Sequence, residues 1–552
     1  MTEPKRQATA SEEAIWRIFT VPEAPDSTLT IIEQNISQNL AGFLRESIVA
    51  VEKPLWQIER DFQAHQIPAE PSFVSDYAQE MMDKLVAHSV HTAAPSFIGH
   101  MTSALPYFVL PLSKMMVGLN QNLVKIETSK AFTPLERQVL GMMHHLVYGE
   151  AEGFYKKWLH SANHSLGAFC SGGTVANMTA LWIARNRLLK ADGDFKGVAK
   201  EGLFRAMKHY GYEDLAILVS ERGHYSLKKA ADLLGIGRDM LIPVPTNDDN
   251  KVNVQKMRDI AHELHRRKVR VMAIVGVAGT TETGSVDPLP ELAALASELQ
   301  CHFHVDAAWG GATLLSDKYR YLLNGIELAD SVTIDAHKQM YVPMGAGMVV
   351  FKHPSSAHAI EHHAEYILRK GSKDLGSQTL EGSRPGMAFL VHGCLQVIGR
   401  KGYEILINRS LEKARYFAGL IDLHPDFELV TAPELCLLTY RYVPAQVQQA
   451  LHKLRAAGDA ELLKKLNDLL SGLTKFIQKR QREEGRSFVS RTRLTPERYL
   501  RHETAVFRVV LANPLTTDQI LHDVLDEQVE LAKRDKEFLP KLLNLAKDIL
   551  AH

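Results

Sequence analysis

The chain has 552 residues, 45% of them hydrophobic and 23% charged, and its 64 Lys and Arg residues equal its 64 Asp and Glu residues. Such a balance gives no global field to gather nucleic acid or an anionic membrane, so any charge selectivity has to be local to a site. The length asks for more than one domain, and the scattered Cys170, Cys301, Cys394 and Cys436 form no CxxC pair, which fits a reducing cytoplasm rather than a disulfide framework or a cysteine zinc site.

In chain order, Met1–Ala10 carries Glu3, Lys5 and Arg6 without an apolar core, so it does not read as a secretory signal. No apolar run approaches the ~18 residues of a membrane span. Beyond a Pro/Asp/Ser turn at residues 25–27, Ile32, Ile36, Leu40, Phe43, Leu44, Ile48 and Val51 recur at helical spacing. A lone amphipathic helix must bury its stripe, and a partner subunit is the natural place. From about residue 110 to 375, short β-branched runs (216–219, 271–277, 303–305, 332–334, 348–351) alternate with helical segments, which predicts βαβ units around a mostly parallel, buried sheet. The C-terminal part differs. A helix marked by Leu462, Leu466, Leu469, Leu470, Leu473 and Ile477 precedes strands at 488–490 and 506–510, which predicts a smaller α+β unit. The resulting division is an N-terminal tail and arm (1–105), a large α/β domain (106–400) and a small C-terminal domain (401–552).

Three constellations in the large domain carry chemistry. Phe169-Cys170-Ser171-Gly172-Gly173-Thr174 runs from a strand into a helix start, where free amides, hydroxyls and the helix dipole make a phosphate cradle. His304-Val305-Asp306-Ala307-Ala308-Trp309-Gly310-Gly311 ends a strand on a carboxylate that needs a cation if buried, beside alanines that leave room for a flat ring. Thr333-Ile334-Asp335-Ala336-His337-Lys338 puts a lysine at the C-terminal end of the next strand, where open α/β sheets bind ligands and where an imine-forming lysine belongs.

With 220–226 (Ser-Glu-Arg-Gly-His-Tyr-Ser), 279–288 (Gly-Thr-Thr-Glu-Thr-Gly-Ser-Val-Asp-Pro), Glu381-Gly382-Ser383-Arg384-Pro385 and 507–514, these motifs make the chain, from about residue 85 onward, resemble the group II pyridoxal-phosphate-dependent amino acid decarboxylases. The likeness is greatest to the bacterial branch acting on aspartate. It implies the aspartate-aminotransferase-like fold (fold type I), with an N-terminal helical arm and a small C-terminal α+β domain, and a homodimer with its site at the subunit interface. It also implies pyridoxal 5'-phosphate held on Lys338, with Ser171, Gly172, Gly173, Thr174 and His337 around the phosphate. Asp306 would face the ring nitrogen, His224 and Ala308 the two ring faces, and Thr280 the ring substituents. Tyr366 would be a proton donor on a mobile loop. The implied reaction is decarboxylation of an acidic L-amino acid, aspartate to β-alanine first and glutamate to γ-aminobutyrate second. An aminotransferase of the same fold and a catalytically silent relative are the alternatives.

Four residues remain as candidates on the substrate side. Arg384 and Arg508 are each either a carboxylate clamp or a structural ion pair, because guanidinium matches carboxylate bidentately in both roles. His100 and Asn120 lie before the sheet, on segments that relatives use around the pocket. His358, His362 and His363 include an i, i+4 pair, but no third ligand is evident and no metal is expected.

Overall fold

The computed structural model describes residues 49–363 and 371–551, with isolated positions between 34 and 42. Most of the helix expected at 28–51, and Tyr366, lie outside the described residues.

Seven strands form the large sheet: β1 (Gly167–Cys170), β2 (Asp214–Ser220), β3 (Leu241–Val244), β4 (Val269–Val277), β5 (His302–Asp306), β6 (Ser331–Asp335) and β7 (Gly347–Phe351). Their order is β1-β7-β6-β5-β4-β2-β3. Only β7 runs against its neighbours β1 and β6; the other pairings are parallel. The β-branched runs are buried on both faces, as helix-covered parallel strands must be. β3 escapes sequence reading because it is short and carries Pro243, which is tolerated on this edge strand.

The second sheet comprises β8 (Phe427–Thr431), β9 (Leu437–Tyr442), β10 (Ser490–Leu494) and β11 (Thr504–Val510), in the order β10-β11-β9-β8. The strand expected at 488–490 starts two residues later, because Phe488 pairs with Phe97 of the N-terminal segment in an isolated parallel bridge. That segment is stitched to the small sheet: the Ile98 amide donates to the Phe488 carbonyl (3.0 Å) and the Val510 amide to the Ile98 carbonyl (2.7 Å).

Among the helices, α1 (Val109–Leu119), α2 (Phe132–Tyr148) and α3 (Gly173–Leu188) precede or open the large sheet. α4 (Ala388–Leu423) touches α2 as well as β8 and β9, and breaks at Gly399, whose φ of 67° suits a residue without Cβ. α5 (Ala460–Glu484) buries Leu463, Leu466, Leu470, Leu473 and Ile477 along one stripe. One continuous apolar core holds Ile274 and Val305 of the large sheet together with Tyr440 and Phe507 of the small one. The two sheets are thereby fixed relative to each other, and so are the side chains that each sends toward the space between them.

Gly347, at the start of β7, packs against the β1–α3 turn. A Cβ there would lie 2.5 Å from Gly172 Cα and 2.7 Å from Asp335 Oδ1. Gly347→Ala is therefore expected to cost about 1–3 kcal/mol through overpacking and to lower the thermal melting point. An unchanged melting point would contradict this packing.

Candidate active site

A cavity of about 330 Å3 opens at the C-terminal ends of β4, β5 and β6, lined by Gly172, Thr174, His224, Asp306, Ala308 and Lys338 among others. Placement at the carboxyl ends of parallel strands is what the sheet dictates, and the volume is that of a small-ligand site.

The cradle comes from the start of α3. Among the described residues the amides of Gly172, Gly173 and Thr174 have no acceptor, because no preceding turn supplies one. The Ser171 amide differs: it donates to the Glu381 carboxylate at 3.0 Å. Gly173 is required by close approach, since a Cβ would sit 2.8 Å from Asp335 Oδ2 and 3.2 Å from Ala308 Cβ. His337 borders the same turn, its Cε1 3.3 Å from where a Gly172 Cβ would be. Burial lowers its pKa, and its Nδ1 is buried without a partner.

Two carboxylates stand at the ends of adjacent strands and have different partners. Asp335 takes Lys338 Nζ at 3.1 Å and faces His337 Nε2 at 3.5 Å, so the lysine is held with its tip in the cavity. Asp306, 5% exposed, accepts from Asn177 Nδ2 at 2.8 Å and from the Ala308 amide at 3.2 Å. Among the described residues no cation pairs with it, which leaves a buried carboxylate in need of one. His224 lines the cavity and its Nδ1 accepts from Ser226 Oγ at 2.8 Å. Loss of hydration lowers its pKa, partly opposed by Asp306, so the ring is neutral near pH 7.

Thr280, expected near the ring substituents, turns its side chain into its own turn. It is fully buried, with Oγ1 2.7 Å from Thr283 Oγ1 and 3.0 Å from Ser285 Oγ, and this turn lines the cavity through Gly279 and Thr281.

The substrate-side candidates separate as well. Arg384 forms the structural ion pair: both terminal nitrogens bond the buried Glu136 of α2. Arg508 of β11 is 8% exposed and bonds only neutral oxygens, Ser490 Oγ at 3.1 Å and the Gly99 carbonyl at 3.4 Å. Among the described residues no carboxylate lies within ion-pairing distance of it. Burial pushes its pKa down to about 10, offset in part by Glu282, which leaves it cationic at pH 7. His100 follows Gly99 directly. Loss of hydration lowers its pKa, and the nearby cations Arg508 and Lys338 lower it further. Asn120 is the left-handed cap of α1 (φ 43°) and does not line the cavity. Of the histidine trio, His358 Nε2 meets the Asn163 carbonyl and His362 stacks on Trp182, on a stretch that is not α-helical.

Arg222 and Trp309, known from the sequence only as motif members, also line the cavity, and so do Met101 and, above all, Asn177, which no motif marked. The signal for Asn177 was a lone amide on the apolar face of α3, between Ala176 and Ala180.

The pyridoxal-dependent decarboxylase conserved domain matches residues 57–443. The chain belongs to that family and is a decarboxylase that uses pyridoxal phosphate. It is 63% identical to an aspartate 1-decarboxylase of Aliivibrio fischeri over 100% of both chains. It is also 30% identical to an L-aspartate decarboxylase of Metarhizium robertsii, over 67% of this chain and 70% of that one. Among solved structures it shares its fold with apo mouse CSAD, with a TM-score of 0.76 and 22% identity over 91% of this chain and 99% of that one.

The residues present suit the cofactor: free amides at a helix start for a phosphate, an unpaired buried carboxylate for a protonated ring nitrogen, and a lysine at the cavity floor. Borohydride reduction of the native protein, followed by peptide mapping, is expected to find the pyridoxyl group on Lys338. Attachment to any other lysine would overturn this assignment.

Proposed function

We propose that the protein removes the α-carboxylate of L-aspartate as carbon dioxide and leaves β-alanine. The observation that carries the choice of an acidic substrate is Arg508: a buried guanidinium with no carboxylate partner among the described residues, beside His100. A side-chain carboxylate arriving there would supply the missing counter-ion. The full-length likeness to the Aliivibrio fischeri enzyme supports aspartate over its longer homologue.

Pyridoxal phosphate, when bound, supplies a carbonyl that condenses with the substrate amine and a cationic ring that withdraws electrons as carbon dioxide departs. The protein's own residues hold and orient. Asp306 keeps a proton on the ring nitrogen by offering it a buried anion. His224, neutral, and Ala308 form the walls against which a flat ring is fixed. Asp335 holds Lys338 where its amine can reach the cofactor and receive or return a proton.

The active unit we infer is a homodimer. Tyr107 is 86% exposed, and Leu110, Met115, Val117 and Leu119 also lie open along α1, an apolar surface that a second copy would cover. The free cysteines suit a cytoplasmic setting, and among the described residues no helix is long and apolar enough to cross a membrane.

Measured as kcat/KM on one preparation, aspartate is expected to lead glutamate by roughly 10–200-fold, the worth of one methylene in a fitted pocket, with tyrosine and leucine far behind. Arg508→Gln should cost aspartate on the order of 100-fold, the loss of a buried charged hydrogen bond. A preference for an aromatic or basic amino acid, or an unaffected Arg508→Gln enzyme, would refute the proposal.

A further inference from the structure

Asn177, one turn into α3 and 1% exposed, uses its amide in three directions. Its Nδ2 donates to Asp306 Oδ2 at 2.8 Å and to Ser226 Oγ at 3.1 Å, while its Oδ1 faces His304 Nε2 at 3.0 Å. The orientation follows from chemistry. A carboxylate only accepts, so the nitrogen must face Asp306 and the oxygen must face His304. An amide oxygen also only accepts, so His304 carries its proton on Nε2.

The bonds beyond Asn177 then acquire a direction. Full burial lowers the His304 pKa, and its Nδ1 lies 2.9 Å from Ser331 Oγ and 3.1 Å from the Ser331 carbonyl, so Ser331 holds the far side of the ring. Ser331 Oγ also lies 2.8 Å from His302 Nε2. On the other branch Ser226 Oγ accepts from Asn177 and spends its own proton on His224 Nδ1, which the Ser226 amide also approaches at 3.3 Å. With Nδ1 accepting, the proton of neutral His224 sits on Nε2.

We propose that Asn177 is a positioning residue which, anchored by His304, fixes both the Asp306 carboxylate and, through Ser226, the His224 ring. One amide would thus set the cofactor's nitrogen partner and its face partner together. This rests on the reading that Asp306 and His224 grip the ring.

The test is a set of double-mutant cycles read as cofactor dissociation constants, by titrating pyridoxal phosphate into the cofactor-depleted full chain. Asn177→Ala is expected to weaken binding about tenfold, as for the loss of one charge-assisted hydrogen bond. In the Asp306→Asn background that loss should largely vanish, because the two residues act as one unit. Ser226→Ala should couple to His224→Gln but add independently to Asp306→Asn, which separates the two branches. The isosteric Asn177→Asp should bind the cofactor more weakly than Asn177→Ala, since two carboxylates would then face each other. A residue that merely fills space would give additive cycles and would tolerate the aspartate better than the alanine; either result overturns the inference and leaves the roles of Asp306 and His224 standing. Unchanged affinity in Asp306→Asn and His224→Gln themselves would overturn both.

Discussion

Two buried carboxylates at the ends of neighbouring strands, beside the open N-terminus of α3, organise this molecule. Asp306 and Asp335 are 5% and 3% exposed, and charges so placed are tolerated only where cations or strong donors meet them. Asp335 is met within the chain by Lys338. Among the described residues Asp306 is met by neutral donors, Asn177 and the Ala308 amide. The difference divides the two acids: one secures the lysine, and the other has no cation among the described residues. The glycines follow from the same crowding, because a Cβ at Gly173 or Gly347 would lie against Asp335.

The proposed substrate side repeats this logic with the opposite sign. Arg508, carried by the small sheet, is a buried cation with no carboxylate at ion-pairing distance among the described residues, whereas the proposed cofactor groups belong to the large sheet. The shared apolar core makes their separation a property of the fold rather than of a flexible hinge. The N-terminal segment contributes too, since its pairing with Phe488 and Val510 brings Gly99 and His100 against Arg508. Arg384 shows the contrast: with Glu136 buried beside it, its charge is already satisfied and serves stability.

The parts of the fold that were legible in sequence were those with strong local signals. Buried parallel strands such as β4 and β6 read as continuous β-branched runs, and the motifs around Ser171, Asp306 and Lys338 announced themselves through residue types with few other uses in that order. What was not legible depended on distant partners. Whether an arginine is a clamp or a strut is decided by Glu136, 248 positions away in the chain. Thr280 and Thr281 are adjacent and chemically alike, and only the turn decides which one faces the cavity. Asn177 was hidden because an amide on a helix reads as solvated until Asp306, Ser226 and His304 are seen around it. β3, interrupted by Pro243, and the small-sheet strands β8 and β9 lacked a pattern strong enough to stand out locally.

In the proposed reaction the site breaks the bond to the α-carboxylate of an acidic amino acid while the side-chain carboxylate is held apart at Arg508 of the small sheet. L-Aspartate labelled with carbon-13 either in the α-carboxylate or in the side-chain carboxylate tests it directly, with the released gas and the amine product followed by mass spectrometry. Labelled carbon dioxide is expected from the α-labelled substrate alone, and β-alanine that retains the label from the other. Label released from the side-chain carboxylate, with alanine as the product, or no labelled gas from either substrate, would contradict it.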